Sequence, residues 1–582
     1  MAVPADVSRR RALGVLAGAA AGSMTFRAAL AAAVASPTPP DPSEIAKAAA
    51  LSGLELTKDE ADLMVKGIGD MQADLAKLRA VSLDNGVPPA LVFAPAPLQG
   101  KTVAAAEHGQ RAATRPASSD DLAFLTVAEQ ASLLHAKKVS STELTRAYLD
   151  RIRRYDPMLH AVVTLTEDLA LAQAKKADEA IAAGRLGGPL HGVPWVAKDI
   201  LAVPGYPTTW GSVPYKTQMR PEKAAVVERL ENAGAVLLAK SSVGELAMGD
   251  VWFGGKTKNP WKLDEGSSGS SAGSASMTAA GLTGFGIGTE TWGSIVSPCT
   301  RCGVTGLRPT FGRVSRFGVM ALSWSMDKVG VLARSVEDCA LVFASIQGRD
   351  PRDPATTDVP FAWARPSGDL KRLRVGFVPA LFEEDRTVLA DKPEDKADLT
   401  EWTELDRKAL PVLERLGLTL RPVTLRDDLP VSALSWILTA EAAAAFDDLT
   451  RSGHDQEMVK QDADAWPNTF RLGQMLPAVE YVRANRIRTL LQRQWAEVFA
   501  DLDVLVVPSF GGDVLLATNL TGHPCVVVPD GFLSRDGTPV SLSFLGRLHG
   551  EAELLMVADA WQRATDFHRK RPPLAAAPGA SR

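Results

Sequence analysis

Cysteine is scarce in this sequence, because 582 residues include only four. Four thiols are too few to hold together a chain of this length, so a disulfide scaffold is excluded as the main source of stability. Cys299 and Cys302 form a Cys-x-x-Cys pair, yet neither a second pair nor histidines at metal-binding spacing accompany them. We interpret both as packing residues that could form a disulfide after export, and we expect no metal site.

An excess of positive charge is also lacking. The sequence has 64 lysine and arginine residues against 68 aspartate and glutamate residues, which gives a formal net charge of -4. Proteins that bind nucleic acids present basic surfaces to the phosphates, so a nucleic-acid partner is not expected. The fractions of hydrophobic residues (46%) and charged residues (23%) are typical of a globular protein and argue against a disordered chain or a coiled coil.

Long apolar runs are missing beyond the N-terminus. No stretch of about 20 apolar residues follows the first 35 residues, so the mature protein is expected to be soluble, without stable membrane insertion. Residues 8–13, Ser-Arg-Arg-Arg-Ala-Leu, resemble a twin-arginine export signal, and an apolar run over 12–22 and a small-residue cleavage site at 33–35 follow. We predict that residues 1–35 direct export to the periplasm or the extracellular space. The alternative is a disordered basic tail.

Residues 36–121 predict an accessory arm that shields the main domain. Thr57 and Glu60 form a capping-box pattern at the start of an amphipathic helix that extends to Val81. Prolines are frequent between residues 88 and 97, which indicates an extended backbone. We therefore expect a helical and extended arm with a covering role rather than a binding role.

From residue 122 to residue 575 the sequence alternates between helical and strand-like segments. Helices are predicted at 141–155, 224–233, 401–416 and 477–499, and strands at 235–238, 373–378, 418–425 and 504–507. Such alternation predicts an α/β fold in which helices cover both faces of a central mixed β-sheet. The helix-rich stretch 380–500 is predicted to be an excursion that flanks the site, and residues 576–582 are predicted to be a disordered tail.

The densest concentration of small residues lies between Gly266 and Thr310. Gly, Ser and Ala bury little apolar area, so packing alone does not account for them. Glycine allows a sharp turn that brings backbone N–H groups close to a bound atom, and serine supplies a nucleophile or a hydrogen-bond partner. We therefore interpret this stretch as the active site.

Two catalytic patterns from other hydrolases are candidates here. Residues 269–273 satisfy Gly-x-Ser-x-Gly, which would make Ser271 the nucleophile of an α/β-hydrolase, but the preceding residues 259–265 are polar and turn-like rather than strand-like. No histidine is placed by a motif to complete that triad. Ser325 and Lys328 form Ser-x-x-Lys, but the companion Lys-Thr-Gly element is absent.

Lys198 suggests a third kind of chemistry. Its neighbours Val196, Ala197 and Ile200 are apolar, and lysine is seldom buried without a partner. Because burial lowers the pKa of a lysine, Lys198 could be neutral and act as a base. The alternative for a buried lysine is a structural ion pair.

Together these segments resemble the motifs of the amidase signature family. Lys198 stands in Gly-Val-Pro-Trp-Val-Ala-Lys-Asp at 192–199, and Gly-Thr-Glu-Thr-Trp-Gly-Ser-Ile occupies 288–295, after the serine-rich segment. The resemblance extends over residues 122–572 and implies the amidase signature fold and a serine hydrolase that cleaves C–N bonds. Glu290 and Val296 stand where the family commonly has Asp and Arg, and a Glu and an apolar residue at these two positions resemble the peptide amidase branch.

The resemblance also implies a role for each catalytic residue. The serine-rich segment offers two frames, one starting at Ser267 and one at Ser270, and the second reproduces the family's interval to Ser294. Ser294 is then the nucleophile that forms an acyl-enzyme, Ser270 the bridging serine and Lys198 the neutral base, without a metal or organic cofactor. The oxyanion is expected to accept hydrogen bonds from the backbone N–H groups of Thr291, Trp292, Gly293 and Ser294.

The substrate pocket is expected to involve segment 244–255 and the excursion after residue 380. Trp292 stands where the family usually has glycine, so it either carries a steric cost, if the position requires a positive φ, or forms a wall of the pocket. The candidate pocket residues are Met248, Trp252, Trp292 and Ser271. The predicted reaction is hydrolysis of a linear small-molecule amide by water. The alternatives are a carbamate or ester hydrolase on the same relay, an inactive amidase-like binding protein, and an amidotransferase subunit.

Overall fold

The computed structural model describes residues 40–83, 89–91, 113–363, 370–389 and 393–574. The predicted export signal, most of the proline-rich segment and the predicted C-terminal tail lie outside these described residues. The domain boundaries at which these segments begin or end therefore stay predictions. Within the described ranges, none of the helices combines the length and the apolar character that crossing a membrane requires.

The helices and strands of the described residues are as follows. The helices are α1 (Pro42–Leu51), α2 (Lys58–Ala80), α3 (Ser119–Ala123), α4 (Val127–His135), α5 (Ser141–Leu159), α6 (Glu167–Ala182), α7 (Ala225–Asn232), α8 (Ala272–Ala279), α9 (Val296–Cys302), α10 (Val336–Ile346), α11 (Pro379–Phe382), α12 (Pro393–Arg415), α13 (Trp436–Ala445), α14 (Asp447–Arg451), α15 (Trp466–Gln474), α16 (Ala478–Val498), α17 (Val514–Thr521) and α18 (Glu551–Thr565). The strands are β1 (Val162–Leu165), β2 (Pro194–Lys198), β3 (Val236–Ser241), β4 (Val251–Trp252), β5 (Gly255–Lys256), β6 (Lys258–Asn259), β7 (Lys262–Gly266), β8 (Phe285–Glu290), β9 (Thr305–Arg308), β10 (Lys328–Ala333), β11 (Val375–Phe377), β12 (Leu420–Pro422), β13 (Val504–Pro508), β14 (Cys525–Phe532) and β15 (Pro539–Gly546).

The chain forms two compact units. One comprises the described residues of Met1–Pro89 together with Ala433–Gln456 and Lys460–Ile487, and the other comprises Glu457–Val459 and the described residues of Ala90–Ser432 and Arg488–Arg582. The first unit is helical in its described part. It combines a piece of the predicted arm with two segments of the predicted excursion. These segments are remote from one another in the chain, and the sequence pattern of neither the arm nor the excursion predicts that they associate.

Helix α2 in the first unit begins with the predicted capping box. The Glu60 N–H donates to the Thr57 hydroxyl at 3.3 Å, and the Thr57 N–H donates to the Glu60 carboxylate at 2.8 Å. These bonds satisfy N–H groups that have no partner inside the helix. Its buried face includes Met64, Ile68 and Leu75, at the spacing that the sequence predicts.

The second unit is built on an eleven-stranded mixed sheet, which confirms the predicted α/β class. The strand order is β1-β3-β2-β8-β10-β9-β14-β15-β13-β11-β12. Strands β2, β3, β8, β9 and β10 are buried along their whole length. Because adjacent side chains of a strand point to opposite faces, complete burial means that both faces of the sheet's centre are covered.

The topology of the central strands brings the glycine and serine segments to one edge of the sheet. Strand β2 runs parallel to both β3 and β8, with Ala197 opposite Ile287 and Lys198 opposite Ser241. The carboxyl ends of parallel strands meet at the same edge, which is where ligands bind in open α/β sheets. Lys198 ends β2 and Glu290 ends β8, so both lie at this edge.

The segment 259–265 differs from its predicted turn-like conformation. It forms most of the β6–β7 hairpin, in which Lys258 pairs with Gly266 and Asn259 with Lys262. The side chains of Leu263 and Asp264 are exposed. A strand that is not buried on both faces needs no run of apolar residues. The polar sequence of β7 therefore did not predict a strand.

Candidate active site

Lys198 lies at the centre of the candidate site. Its side chain is fully buried, and Nζ donates hydrogen bonds to Ser270 Oγ at 2.9 Å, Ser271 Oγ at 3.2 Å and Thr289 Oγ1 at 2.8 Å. All three acceptors are neutral hydroxyls. Burial lowers the pKa of Lys198 to about 7, even though the more distant Asp327 and Glu290 favour its charged form. A substantial fraction of Lys198 is therefore neutral near pH 7.

The ion pair that was the alternative for Lys198 belongs instead to its chain neighbour. Asp199 and Lys240 are both fully buried, and Lys240 Nζ lies 2.6 Å from Asp199 Oδ1. Asp199 Oδ2 also accepts the Thr209 N–H at 3.0 Å. The carboxylate next to Lys198 in sequence is thus engaged elsewhere, and Lys198 remains among hydroxyls.

Ser270 and Ser271 approach Lys198 from the loop that precedes α8. The Gly269–Ser270 peptide bond is cis. The Ser271 hydroxyl donates to the Thr289 carbonyl at 3.1 Å and accepts the Thr289 N–H at 3.2 Å, so its position is fixed on β8. Ser271 is fully buried, and its hydroxyl is one of the three that accept a hydrogen bond from Lys198. It does not line the cavity described below, where the sequence placed it.

Ser294 lies beside this pair, in the turn between β8 and α9. Its carbonyl accepts the Ser271 N–H at 3.2 Å, and its side chain is half-buried. Gly293 has a φ of +85°, whereas Trp292 does not have a positive φ. The residue that needs the left-handed region is therefore a glycine, and the steric cost considered for Trp292 does not arise.

Glu290 holds the turn that contains Ser294. Its carboxylate accepts the N–H groups of Ile295 at 2.8 Å and Val296 at 2.9 Å, at the start of α9. Arg308 donates to the same carboxylate at 2.6 Å. Burial by itself would raise the pKa of Glu290, but Arg308 and the Val296 N–H outweigh it and lower the pKa to about 2. A permanently charged Glu290 therefore clamps the end of the turn at neutral pH.

Asp327 holds the other side of the turn. The Thr291 hydroxyl donates to Asp327 Oδ1 at 2.6 Å, and the N–H groups of Leu322 and Ser323 donate to Oδ2 at 2.8 and 3.0 Å. The sequence singled out this region only as the Ser-x-x-Lys pattern. Arg488 donates to Ser325 Oγ at 2.7 Å, which gives this serine a partner that the Ser-x-x-Lys pattern does not include.

A cavity of about 380 Å³ opens beside these residues. Thr289 and Thr291 line it, so it adjoins both the Lys198 cluster and the Ser294 turn. Its apolar wall includes Ile200, Ala247, Phe317, Met320, Leu322 and Trp324. The sequence did not indicate the wall segment 316–329, because it combines Arg, Ser, Asp and Lys with scattered apolar residues at no regular period.

The other predicted pocket residues, Trp252, Met248 and Trp292, are not among the described residues that line this cavity. Trp252 is buried and its ring packs edge-on against Phe253, with 4.9 Å between ring centroids. Met248 is half-buried beside Ala247, which does line the cavity. All described lining residues lie between Ile200 and Pro354, so the excursion after residue 380 contributes none of this wall.

The cysteines add no chemistry to the site. All four are free and buried, and burial raises the pKa of Cys299 and of Cys302 well above the ordinary thiol value. Such thiols are protonated and unreactive at neutral pH. Within the part of the chain that the structure describes, no group of three or more His, Cys, Asp or Glu side chains is arranged to hold a metal ion.

Comparisons with known proteins identify the family of the chain. A family model named Amidase matches residues 143–518. The chain is similar to a glutamyl-tRNA(Gln) amidotransferase subunit from Methylococcus capsulatus, with 36% identity over 494 residues that cover 77% of this chain and 98% of that protein. It is also similar to the solved structure of the peptide amidase of Stenotrophomonas maltophilia. The identity is 31% and the TM-score 0.65, over 77% of this chain and 98% of that chain. The chain therefore belongs to the amidase signature family, and it is a hydrolase of that family.

Proposed function

We propose that this protein hydrolyses linear amides to an acid and an amine through an acyl-enzyme on Ser294, with Ser270 and Lys198 as the proton relay. The observation that carries this proposal is the environment of Lys198. Its fully buried Nζ lies 2.9 Å from Ser270 Oγ and is surrounded by hydroxyls, without a carboxylate in the same set of contacts. A lysine held in this way can exchange a proton near pH 7.

The first half of the reaction forms the acyl-enzyme. Neutral Lys198 accepts the Ser270 proton while Ser270 accepts the Ser294 proton, so no isolated alkoxide is created in the buried site. Ser294 Oγ forms a bond to the amide carbon, and the carbonyl electron pair moves to oxygen. Backbone N–H groups in the 291–294 turn, held in place by Glu290 and Asp327, stabilise this oxyanion, and each such donor contributes about 3 kcal/mol.

The second half uses the same relay in the opposite direction. When the tetrahedral intermediate collapses and the C–N bond breaks, protonated Lys198 returns a proton through Ser270 to the leaving nitrogen. Protonation matters because an unprotonated amine anion is a very poor leaving group. Water then attacks the Ser294 ester, with the relay again removing a proton, and the acid is released. Carbamates and esters would pass through the same steps.

An amidotransferase subunit is the second candidate, because the similar protein from Methylococcus capsulatus carries that name. Such a role requires partner subunits that receive the ammonia. Similarity to a peptide amidase and the twin-arginine pattern at residues 8–13 favour water as the acceptor instead. We also propose that the protein is exported. Replacing Arg9 and Arg10 with lysine should retain it in the cytoplasm, and an unchanged distribution between cell fractions would contradict export.

A fluorophosphonate probe tests the proposed chemistry directly, because it reacts with activated serines. We expect covalent labelling of the purified protein at Ser294, located by mass spectrometry of the labelled peptide, and loss of labelling in Ser294→Ala. Release of acid and amine from a panel of chromogenic amides should depend on the same residue. Absence of labelling in the folded protein would instead favour an amidase-like binding protein.

A further inference from the structure

On the arginine-rich side of the cavity beside Thr289 and Thr291, both arginines among the described lining residues are already paired with carboxylates of the protein. Arg316 makes two contacts of 3.1 Å with Asp353, through Nε and Nη2. Arg352 pairs with Asp350 through two bonds of 2.9 Å and with Glu228 at 2.9 Å. Each guanidinium thus has its carboxylate within the protein. A substrate carboxylate that entered the cavity would have to compete with these existing ion pairs.

The two remaining charged residues of the wall are also engaged. Asp327 accepts three hydrogen bonds, from Thr291, Leu322 and Ser323. Lys328 is buried, and its Nζ donates to the Met326 carbonyl. Burial lowers the pKa of Lys328 well below its usual value, and the nearby Arg308 lowers it further, which favours the neutral amine. Neither residue offers the paired charges that an amino acid zwitterion requires.

Two exposed tryptophans stand on the loops that meet at Asp327. Trp292 is 46% exposed and follows Thr291, which binds Oδ1 of Asp327. Trp324 is 52% exposed, lines the cavity and follows Ser323, whose N–H binds Oδ2. One buried carboxylate therefore fixes both loops. Large exposed indoles held on fixed loops are typical of binding sites, because they supply apolar area at little entropic cost.

The volume indicates the size of the group that fits. A cavity of about 150 Å³ is enough for a benzene ring, and this cavity measures about 380 Å³. Phe317, Met320 and Leu322 provide its apolar wall. The space suits an aromatic ring with its connecting carbons.

We propose that this cavity binds the acyl group of the substrate and selects a large, uncharged, apolar one, with Trp324 as its outer wall. Trp292 does not line the cavity, but it stands on the loop that shares Asp327 with the Trp324 loop and is expected to contribute less. This inference rests on the proposed function, since it assumes that the carbonyl carbon reaches Ser294. It implies that amides of arylalkanoic acids are substrates, and that free glutamine, whose ammonium and carboxylate need partners of opposite charge, is a poor one.

Primary amides test the proposal, because they share ammonia as the leaving group and differ only in the acyl group. We would measure kcat/KM by ammonia release for 3-phenylpropanamide, acetamide and glutamine. We expect kcat/KM to be at least about 100-fold higher for 3-phenylpropanamide than for glutamine. In Trp324→Ala, the ratio of kcat/KM for 3-phenylpropanamide to that for acetamide should fall about tenfold, mainly through KM. Trp292→Ala should lower this ratio about threefold.

Leu263→Ala provides the matched control, because Leu263 is an exposed apolar residue on the β6–β7 hairpin. It should leave the ratio unchanged. Preference for glutamine, or a ratio that Trp324→Ala does not alter while the enzyme hydrolyses amides, would overturn this inference and leave the proposed function intact. Failure to hydrolyse any amide, together with absence of fluorophosphonate labelling at Ser294, would overturn both.

Discussion

Lys198 and Lys240 are buried lysines on neighbouring parallel strands, and the groups that their Nζ atoms contact differ. Lys240 Nζ donates to the Pro207 carbonyl at 2.8 Å, whereas Lys198 has no carbonyl among its contacts in the described residues. The strand register places Lys240 opposite Ala197, one residue before Lys198. Lys240 Nζ contacts the Asp199 carboxylate at 2.6 Å and the Thr208 hydroxyl at 2.7 Å, whereas Lys198 Nζ contacts three hydroxyls. Burial lowers the pKa of both, but at Lys240 the adjacent carboxylate opposes that shift.

This difference shows what separates a structural lysine from a candidate base. Both ammonium groups are removed from water, so burial alone does not distinguish them. An adjacent carboxylate stabilises the charged form of Lys240, and the pair then holds two strands together. Hydroxyl neighbours can donate or accept a hydrogen bond, so they tolerate both protonation states of Lys198. A lysine that works by exchanging a proton needs the second environment.

The largest effect is expected from Lys198→Ala. Amide turnover should fall by at least about 10³-fold, because Ser270 loses the group that accepts its proton. The fold should remain intact, since the three hydroxyl partners can bond to water or to each other. Steady-state kinetics together with circular dichroism would check both statements. A rate close to that of the wild type would contradict the proposed relay.

Lys240→Ala should have the opposite signature. Removing this partner leaves the Asp199 carboxylate buried without a cation, so the free energy of unfolding should fall by about 3–5 kcal/mol. Denaturant titration would measure the loss. If Lys240→Ala were as stable as the wild type, the proposed structural role of Lys240 would be contradicted.

Ser270→Ala tests the choice between the two serine frames. Turnover should fall by about 10²–10³-fold, because the proton path between Ser294 and Lys198 is interrupted. Ser267→Ala is the matched control, since the Ser267 hydroxyl donates to the Ser268 carbonyl at 2.8 Å and not to Lys198. Its rate should stay within about threefold of the wild type. A larger loss of turnover in Ser267→Ala than in Ser270→Ala would show that Ser270 is not the relay serine.

The pH dependence should follow the Lys198 pKa of about 7. Below this value Lys198 is protonated and cannot act as a base, so kcat/KM should fall about tenfold for each further pH unit. Folding depends on the same group with a defined sign. The unfolded lysine, with its ordinary pKa of about 10.4, binds more protons than the folded one between pH 7 and that value, so the contribution of Lys198 to stability should rise with pH across this window.

This stability term can be measured separately from activity, and Lys198→Met is its reference. The difference in unfolding free energy between the wild type and Lys198→Met should shift in favour of the wild type as the pH is raised from 7 to 10. Denaturant titrations at three pH values in this range would measure the shift. A difference independent of pH would show that the pKa of Lys198 is not depressed in the folded protein.

Much of the fold and of the candidate site could be predicted because the signals are local. The capping box at Thr57, the alternation of strands and helices, and the motifs around Lys198, Ser270 and Ser294 each lie within a few residues of sequence. The structure brings Lys198 to 2.9 Å from Ser270 and places Ser294 beside Ser271. The α/β class and the family are confirmed, and the catalytic roles stay predictions until they are measured.

Other parts of the site could not be predicted, because their partners are far apart in the chain. Thr289 belongs to the 288–295 motif, but its 2.8 Å contact with Lys198 depends on the parallel pairing of β2 with β8. Asp327 lies inside the Ser-x-x-Lys pattern of Ser325 and Lys328, which is typical of another enzyme class, and that pattern gives the residue between them no role. Its bonds to Thr291 and to the 322–323 backbone exist because a loop folds back onto the turn.

The sequence by itself determined the family, the α/β class and the residues that stand at Lys198, Ser270 and Ser294, because motif residues and hydrophobic periodicity are properties of short segments. Only the tertiary structure decided which buried lysine keeps a carboxylate. Asp199 follows Lys198 directly in the chain, in the turn after β2, yet its side chain contacts Lys240 on the next strand. Lys240 is paired with Ala197, so its side chain and that of Lys198 lie on opposite faces of the sheet, since successive residues of a strand point in opposite directions. That geometry leaves Lys198 among hydroxyls, where its proton can move.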